Sequence, residues 1–276
     1  MTGAEILARG TRALKGAGID GAGRDARRLM AHALKVDPGR LTLVLPEDVD
    51  SATAARFEAL IARRAAREPV SHLTGRRAFY GREFVVTRDV LDPRPETETL
   101  IEAALAQPFE RVLDLGTGTG CILLTLLAES QGTWGLGTDI SDAALDVAVR
   151  NRAALGLVDS ALLRRSDWFE TVTGSFDLIV SNPPYIAADE VAALAPELSH
   201  EPRLALTDEA DGLSAYRAIT SGAMRHLEHG GRLMVEIGWQ QGQAVAALMA
   251  GAGLSEIVVI ADLDGRDRVV SGRNSA

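Results

Sequence analysis

The chain has 276 residues, 46% of them apolar and 24% charged, with a formal net charge of −9. At about 100–200 residues per domain this is one large domain or two ordinary ones, and the composition excludes wholesale disorder. One cysteine, Cys121, excludes an internal disulfide and a cysteine-rich zinc site, and no apolar run approaches the roughly 20 residues of a membrane-spanning helix.

The first twenty residues carry Glu5 and Asp20 without a long apolar core. Neither a secretory leader nor a transit peptide is expected, and a cytoplasmic setting is. The charge is unevenly spread. Residues 1–85 hold 15 basic and 10 acidic side chains, whereas residues 86–276 hold 14 basic and 28 acidic. An acidic second part reads first as solvated surface charge; it is a poor footprint for phosphate contact, which relies on clustered Lys and Arg, and as a functional signal it suits a cationic small molecule better.

In chain order, residues 4–17 and 22–35 read as amphipathic helices, with Ile6, Leu7 and Leu14, then Leu29, Met30, Ala33 and Leu34, on their apolar stripes. Pro38 can start a short helix through Leu45, and Ser51 is the expected N-cap of a longer helix with Phe57, Leu60 and Ile61 inward. These make a small helical bundle over residues 1–75. Residues 78–86 alternate around Gly81 and read as a β-hairpin, the core of a linker over 76–92. Residues 92–96 read as a proline-stiffened loop, and from residue 97 the pattern becomes strand, helix, strand, helix. Strands are expected at 111–115, 134–139, 161–164, 176–181, 232–237, 256–261 and 268–271. Helices are expected at 97–106, 119–129, 142–155, 212–227 and 240–252. That alternation specifies an α/β fold, Rossmann-like, with a seven-stranded, mostly parallel sheet covered on both faces. The last two strands are joined by residues 262–267, too short for a parallel crossover, and should be antiparallel.

Residues 112–121 run Val-Leu-Asp-Leu-Gly-Thr-Gly-Thr-Gly-Cys, an apolar strand entering a glycine turn and then a helix. Glycine allows a tight bend and close approach of the backbone to a ligand. The dinucleotide fingerprint would put its third glycine where this chain has Cys121. The next strand ends in Asp139, placed to take both hydroxyls of a ribose. Asp139 or Asp142 could instead cap the following helix, and Asp142 fits the cap better. A nucleoside cofactor without a pyrophosphate matches this loop, and S-adenosyl-L-methionine is the obvious candidate.

The strand at 176–181 ends directly in Asn182-Pro183-Pro184-Tyr185. Two prolines stop the strand and stiffen the backbone into an elbow. The chemistry that needs such an elbow is methylation of a planar, weakly nucleophilic amide nitrogen. The Asn182 side-chain oxygen and the Pro183 carbonyl can each accept one of its N–H bonds, and Tyr185 can lie against it, its π-face suited to developing positive charge. Two fixed acceptors orient the nitrogen and favour the charge that grows on it.

Together, Asp114–Gly120, Asp139, Ser166-Asp167-Trp168-Phe169 and Asn182–Tyr185 resemble the HemK-like protein-glutamine N5-methyltransferases. Glu68-Pro69-Val70, Arg94-Pro95-Glu96-Thr97-Glu98, Glu201-Pro202, Asp211-Gly212-Leu213, Glu236-Ile237-Gly238 and the run from Gly265 to Val270 extend the resemblance over nearly the whole chain. It implies methyl transfer from S-adenosyl-L-methionine, giving S-adenosyl-L-homocysteine, to the glutamine of the Gly-Gly-Gln motif of class-1 peptide chain release factors. It also implies a protein-recognition role for the N-terminal bundle, a methyltransferase domain over 93–276, a monomer, no metal, no membrane and no stable nucleic-acid binding.

Carried over by position, Gly116, Thr117, Gly118, Thr119 and Gly120 would line the methionine and ribose end of the cofactor. Asp139 would hold the ribose, Ile140 the adenine face, and Asp167 and Trp168 the adenine edge. Asn182 would touch cofactor and target, with Pro183, Pro184 and Tyr185 completing the glutamine pocket. The Arg94–Glu98 loop would close over the site, with Glu96 and Glu98 alternatively pairing with basic residues. Asp92 stands where many relatives have an aliphatic residue. The Asn-Pro-Pro-Tyr segment is shared with amino-methyltransferases of DNA, but a base-flipping enzyme needs a region rich in basic and aromatic residues, and aromatics are 4% here. Cys121 is expected to be a buried packing residue, Trp134 and Trp239 to pack on the sheet, and His226 and His229 to sit at a helix end.

Overall fold

A computed structural model describes all 276 residues, which fall into two units: Met1–Arg76 with Ala195–His200, and Arg77–Leu194 with Glu201–Ala276. In the first unit, α1 (Gly3–Gly16), α2 (Ala22–Leu34), α3 (Leu41–Val44), α4 (Ser51–Ala65) and α5 (Val70–Thr74) enclose an apolar core that includes Ile6, Leu14, Leu29, Met30, Phe57 and Ile61. The cap of α4 differs from expectation. Asp50, not Ser51, accepts the Thr53 N–H at 2.9 Å, because an ionised carboxylate at that position is the stronger acceptor for the orphan amides. The expected helix over 38–45 divides into a 3-10 turn at Pro38–Arg40 and the single turn of α3. Arg64, buried, donates from Nε to Asp25 at 2.9 Å and from Nη1 to Glu197 at 3.2 Å, which ties Ala195–His200 to this unit.

The second unit begins with the hairpin of β1 (Arg76–Phe79) and β2 (Arg82–Val85). Tyr80 and Gly81 both take positive φ, 46° and 71°, the two-residue turn whose twist matches that of the strands. The Tyr80 N–H donates to Glu98 Oε1 at 2.9 Å. Neither Glu98 nor Glu96 pairs with a basic side chain, so that expectation fails: Glu98 is taken by a backbone amide and Glu96 is exposed.

The sheet strands are β3 (Arg111–Leu115), β4 (Trp134–Asp139), β5 (Ala161–Arg165), β6 (Phe176–Ser181), β7 (Leu227–Glu236), β8 (Ser255–Ala261) and β9 (Asp267–Arg273). Their order is β5-β4-β3-β6-β7-β9-β8. The first five are parallel, while β9 runs antiparallel to both β7 and β8. The helices are α6 (Glu98–Leu105), α7 (Cys121–Glu129), α8 (Asp142–Ala154), α9 (Ser214–Ala223) and α10 (Gly242–Gly251). One apolar layer joins α6, α7 and the hairpin to the sheet, and a second joins α9 and α10 to it. Strand order reverses between β3 and β6, and a doubly wound sheet binds ligands outside the carboxyl ends of its strands at that point. No helix is long and apolar enough to cross a membrane.

Three smaller expectations are corrected. His229 lies on β7 and His226 in the turn before it, because the chain leaves α9 at Ala223, earlier than the pattern suggested. His226 stacks on Phe169 with ring centroids 5.0 Å apart. Trp239 is 55% exposed rather than packed on the sheet, since it follows the end of β7.

Candidate functional site

The loop after β3 reverses direction within five residues. Gly116, Gly118 and Gly120 take φ of 70°, 55° and 79°, a region that costs an L-residue about 1–2 kcal/mol. A Cβ at Gly116 or Gly118 would meet no protein atom within 4 Å. The space beside them is the open side of the turn. Gly120 differs: a Cβ there would stand 2.9 Å from the Cδ1 of Leu124 on α7, which would have to move, on top of its positive φ. Asp114, fully buried, organises the turn. Its Oδ2 accepts the Thr117 hydroxyl at 2.6 Å and the Leu123 N–H at 3.3 Å. Burial pushes its carboxyl up to about 7, against the pull of those two donors.

At the end of β4, Asp139 Oδ2 accepts the Gly118 N–H and Oδ1 the Ser141 N–H, both at 2.9 Å. Burial raises its pKa, and these backbone donors oppose the rise. The cap of α8 is Ser141, whose Oγ accepts from the Ala144 N–H at 3.2 Å. The expectation that Asp142 caps this helix is thus wrong: Ser141 occupies the extended position before the first turn, and Asp142 sits inside that turn. Asn151 of α8 binds hairpin and loop together, accepting the Val85 N–H at 2.7 Å and donating to the Val85 and Thr119 carbonyls at 3.0 and 2.9 Å.

At the end of β6, Ser181 Oγ donates to the Leu115 carbonyl at 2.7 Å, fixing the two strand ends to each other. Asn182 Nδ2 donates to Thr97 Oγ1 at 3.3 Å. Pro183 is buried, and the Tyr185 carbonyl accepts from Gln241 Nε2 at 3.0 Å. Burial, with the Glu236 carboxylate nearby, pushes the Tyr185 phenol up to about 12. The ring therefore stays neutral across the working range of pH.

These strand ends open on one cleft. Gly116, Thr117, Gly118, Thr119, Asp139, Ile140, Asp167, Trp168, Asn182 and Pro184, ten of the residues singled out in the sequence, stand on its wall. Gly120, Pro183 and Tyr185 are not part of it. The other wall was not foreseen in detail. It is built from Asp89–Leu91, Pro93, Arg94 and Thr97 on one side and Pro202, Leu204 and Ala205 on the other. Arg94 Nη2 stands 2.6 Å from both carboxylate oxygens of the buried Glu201 and so joins these two segments. Asp92 is buried beneath and pairs with Arg77 at 3.5 Å. Two prolines, Pro93 and Pro202, could have signalled these walls, but nothing in the sequence says that segments 100 residues apart meet.

Cys121 opens α7 in buried surroundings, and burial pushes its thiol up to about 12. It is a packing residue rather than a nucleophile. The cleft suits a nucleoside cation: a carboxylate at a strand end, two glycines whose missing Cβ atoms leave a cradle, and an aliphatic and an aromatic side chain, Ile140 and Trp168, at the rim.

Family models match most of the chain. One described as the PrmC N-terminal domain matches residues 5–75 and one described as the methyltransferase small domain matches residues 79–209. The chain is 61% identical over 274 residues to a release factor glutamine methyltransferase of Cereibacter sphaeroides, covering 99% of each chain. It is 46% identical to that of Rhodospirillum rubrum, covering 98% of this chain and 85% of that one. Among solved structures, a methyltransferase from Pyrococcus furiosus aligns with a TM-score of 0.55 at 16% identity, covering 79% of this chain and 98% of that one. The hMettl16 catalytic domain bound to a MAT2A 3'UTR hairpin aligns at 0.59 and 18%, covering 76% and 81%. At such identities these two structures share the fold alone.

Proposed function

The chain belongs to the release factor glutamine methyltransferase family, and from that premise we infer how its cleft works. It is an S-adenosylmethionine-dependent methyltransferase that modifies the side-chain N5 of a release-factor glutamine, the one in the Gly-Gly-Gln motif of class-1 factors. When bound, the cofactor supplies an electrophilic methyl carried on a sulfonium. The observation that carries the reading is the placement of the glycine turn, Asp139 and Asn182 on one wall at the strand-order reversal.

Asp139 accepts the ribose hydroxyls with lone pairs left over from its two backbone donors, while Ile140, Asp167 and Trp168 border the adenine. Gly116 and Gly118 give the methionine end open backbone, with Thr117 and Thr119 beside it and Gly120 completing the turn. With its Nδ2 engaged by Thr97, Asn182 keeps Oδ1 to accept one N–H of the target amide, and the Pro183 carbonyl takes the other. Pro184 and Tyr185 complete the pocket. Both acceptors strengthen as positive charge grows on N5, so they favour the transition state over the ground state. An N–CH3 bond forms as the S–CH3 bond breaks, and the extra proton on N5 then leaves to water. No strong base is needed. The N-terminal helical unit, residues 1–75, serves as the recognition module for the protein substrate. The enzyme acts as a cytoplasmic monomer without metal, membrane or stable nucleic-acid binding.

The test is transfer of labelled methyl to purified release factor, followed by mass mapping. Label on the Gly-Gly-Gln glutamine, absent when that glutamine is replaced by alanine, is expected. Equal labelling of the replaced factor, or labelling of plain DNA instead, overturns the reading.

A further inference from the structure

The elbow after β6 is tied at both ends, and the tie at its exit is a side chain that the reaction as described does not use. Pro183 and Pro184 carry no N–H, and their rings fix φ but leave ψ open. The elbow therefore cannot brace itself and needs partners from elsewhere. At its entry Asn182 donates to Thr97. At its exit the Tyr185 carbonyl accepts from Gln241 Nε2 at 3.0 Å, and Gln241 stands immediately before α10.

Gln241 uses its whole amide. Nε2 donates to the Tyr185 carbonyl and, at 3.2 Å, to the Gly212 carbonyl. Oε1 accepts the Gly238 N–H at 3.0 Å and the Tyr216 hydroxyl at 3.3 Å. Two donated and two accepted bonds are the full capacity of an amide. A carbonyl only accepts and a backbone N–H only donates, so these partners fix which end is the nitrogen. Closing the turn before α10 needs only the Gly238 bond. The nitrogen reaches instead to residues 29 and 56 positions earlier. The segments that meet there leave no slack. Gly212 takes φ of 74°, and a Cβ on it would overlap the Tyr185 carbonyl oxygen. Its loop is stiffened by Asp208, which accepts the N–H groups of Ala210, Gly212 and Ser214 at 2.9, 3.0 and 2.8 Å. On the other side, a Cβ at Gly238 would stand 3.5 Å from the Tyr185 ring. The turn that Gln241 Oε1 closes thus also borders that ring.

We propose that Gln241 is a positioning residue for methyl transfer: by clamping the Tyr185 peptide between the 208–214 loop and the turn before α10, it fixes the exit of the elbow, and with it the Pro183 carbonyl and the Tyr185 ring, against the target amide. This deepens the functional reading above and rests on it. Without the clamp the Tyr185 peptide can rotate and carry the elbow with it, and a misplacement of about 1 Å costs up to about 10²-fold in rate. The glycine turn and Asp139 are held by other bonds, so the cofactor's own hold does not depend on Gln241.

The test compares Gln241→Met and Gln241→Glu with the wild type in methyl transfer to release factor. Gln241→Met keeps the bulk and loses all four bonds. Gln241→Glu keeps the shape and the acceptor but turns the donor into a carboxylate oxygen facing two carbonyls, and it carries the test where Gln241→Met does not fold. Gln241→Met is expected to lower kcat about tenfold, with the calorimetric Kd for S-adenosylmethionine within about twofold, the loss of positioned hydrogen bonds away from the cofactor. Gln241→Glu should lose at least as much. Wild-type kcat in the variants, or a Kd that weakens in step with kcat, overturns the proposal. A readout free of turnover comes from the chain's three tyrosines, of which only Tyr185 precedes an isoleucine. With tyrosine labelled with 13C at the carbonyl and isoleucine with 15N, the coupled signal of the Tyr185-Ile186 pair should move in the variants as its hydrogen bond is lost. A signal that stays still also overturns the proposal. If the signal moves while the wild type methylates no release factor, the functional reading falls and the clamp stands; transfer at the wild-type rate by the variants leaves the reading and removes Gln241 from it.

Discussion

The glycine turn after β3 and the Asn182–Tyr185 elbow after β6 solve one problem in opposite ways. Each must hold polar atoms still at the end of a buried parallel strand. The turn does so with residues free to take positive φ, and the elbow with prolines that restrict it. The turn is backed by the fully buried Asp114, whose carboxyl is pushed up to about 7. The difference lies in reach. Asp114 binds Thr117 and Leu123, all within ten residues. Asn182 is held by Thr97, 85 residues earlier. A flexible loop carries its own brace, whereas a stiff elbow borrows one from other strands and helices.

The largest effect separates the two in function. Asn182→Ala should cut methyl transfer by about 10²–10³, the usual loss for one preorganised transition-state partner, while the melting temperature moves little. Labelled transfer with a parallel thermal melt checks this. Asp139→Ala should instead weaken cofactor binding about 10–100-fold, as expected for losing hydrogen bonds to a charged group, and calorimetric titration with S-adenosylmethionine measures it. If Asn182→Ala lost only binding, or Asp139→Ala only turnover, the division of labour would be misassigned.

Smaller effects probe the turn itself. Gly118→Ala meets no protein atom, so only the backbone cost of about 1–2 kcal/mol applies to stability. Gly120→Ala adds a 2.9 Å clash with Leu124 and should cost more, as read by urea denaturation. Equal losses would mean that packing at Gly120 yields freely. The smallest effect is in pH. The native state keeps a proton on Asp114 up to about pH 7, while the unfolded chain releases it near 3.8. The unfolded state thus binds fewer protons between those values, and stability from this group declines as pH rises through them. Asp114→Asn should flatten that decline in urea midpoints measured from pH 4 to 8; an unchanged slope would show that the carboxyl is ionised in the native state.

What could be read from the chain alone follows this same contrast. The α/β alternation, the antiparallel final pair, the glycine turn, Asp139 and the elbow were legible because each depends on spacing within a few residues or on a pattern that repeats along the chain. The cap of α8 was misread at the level of one residue, since Ser141 and Asp142 are both good cap formers and only the backbone path shows which stands at the boundary. Arg94 against Glu201, Arg77 against Asp92 and Thr97 against Asn182 were invisible as partnerships. Local hydrogen bonding and hydrophobic periodicity act over one turn or one strand, and the residues encode them directly. Which distant polar groups must satisfy one another is decided only when the sheet order brings the strand ends together and water is excluded between them.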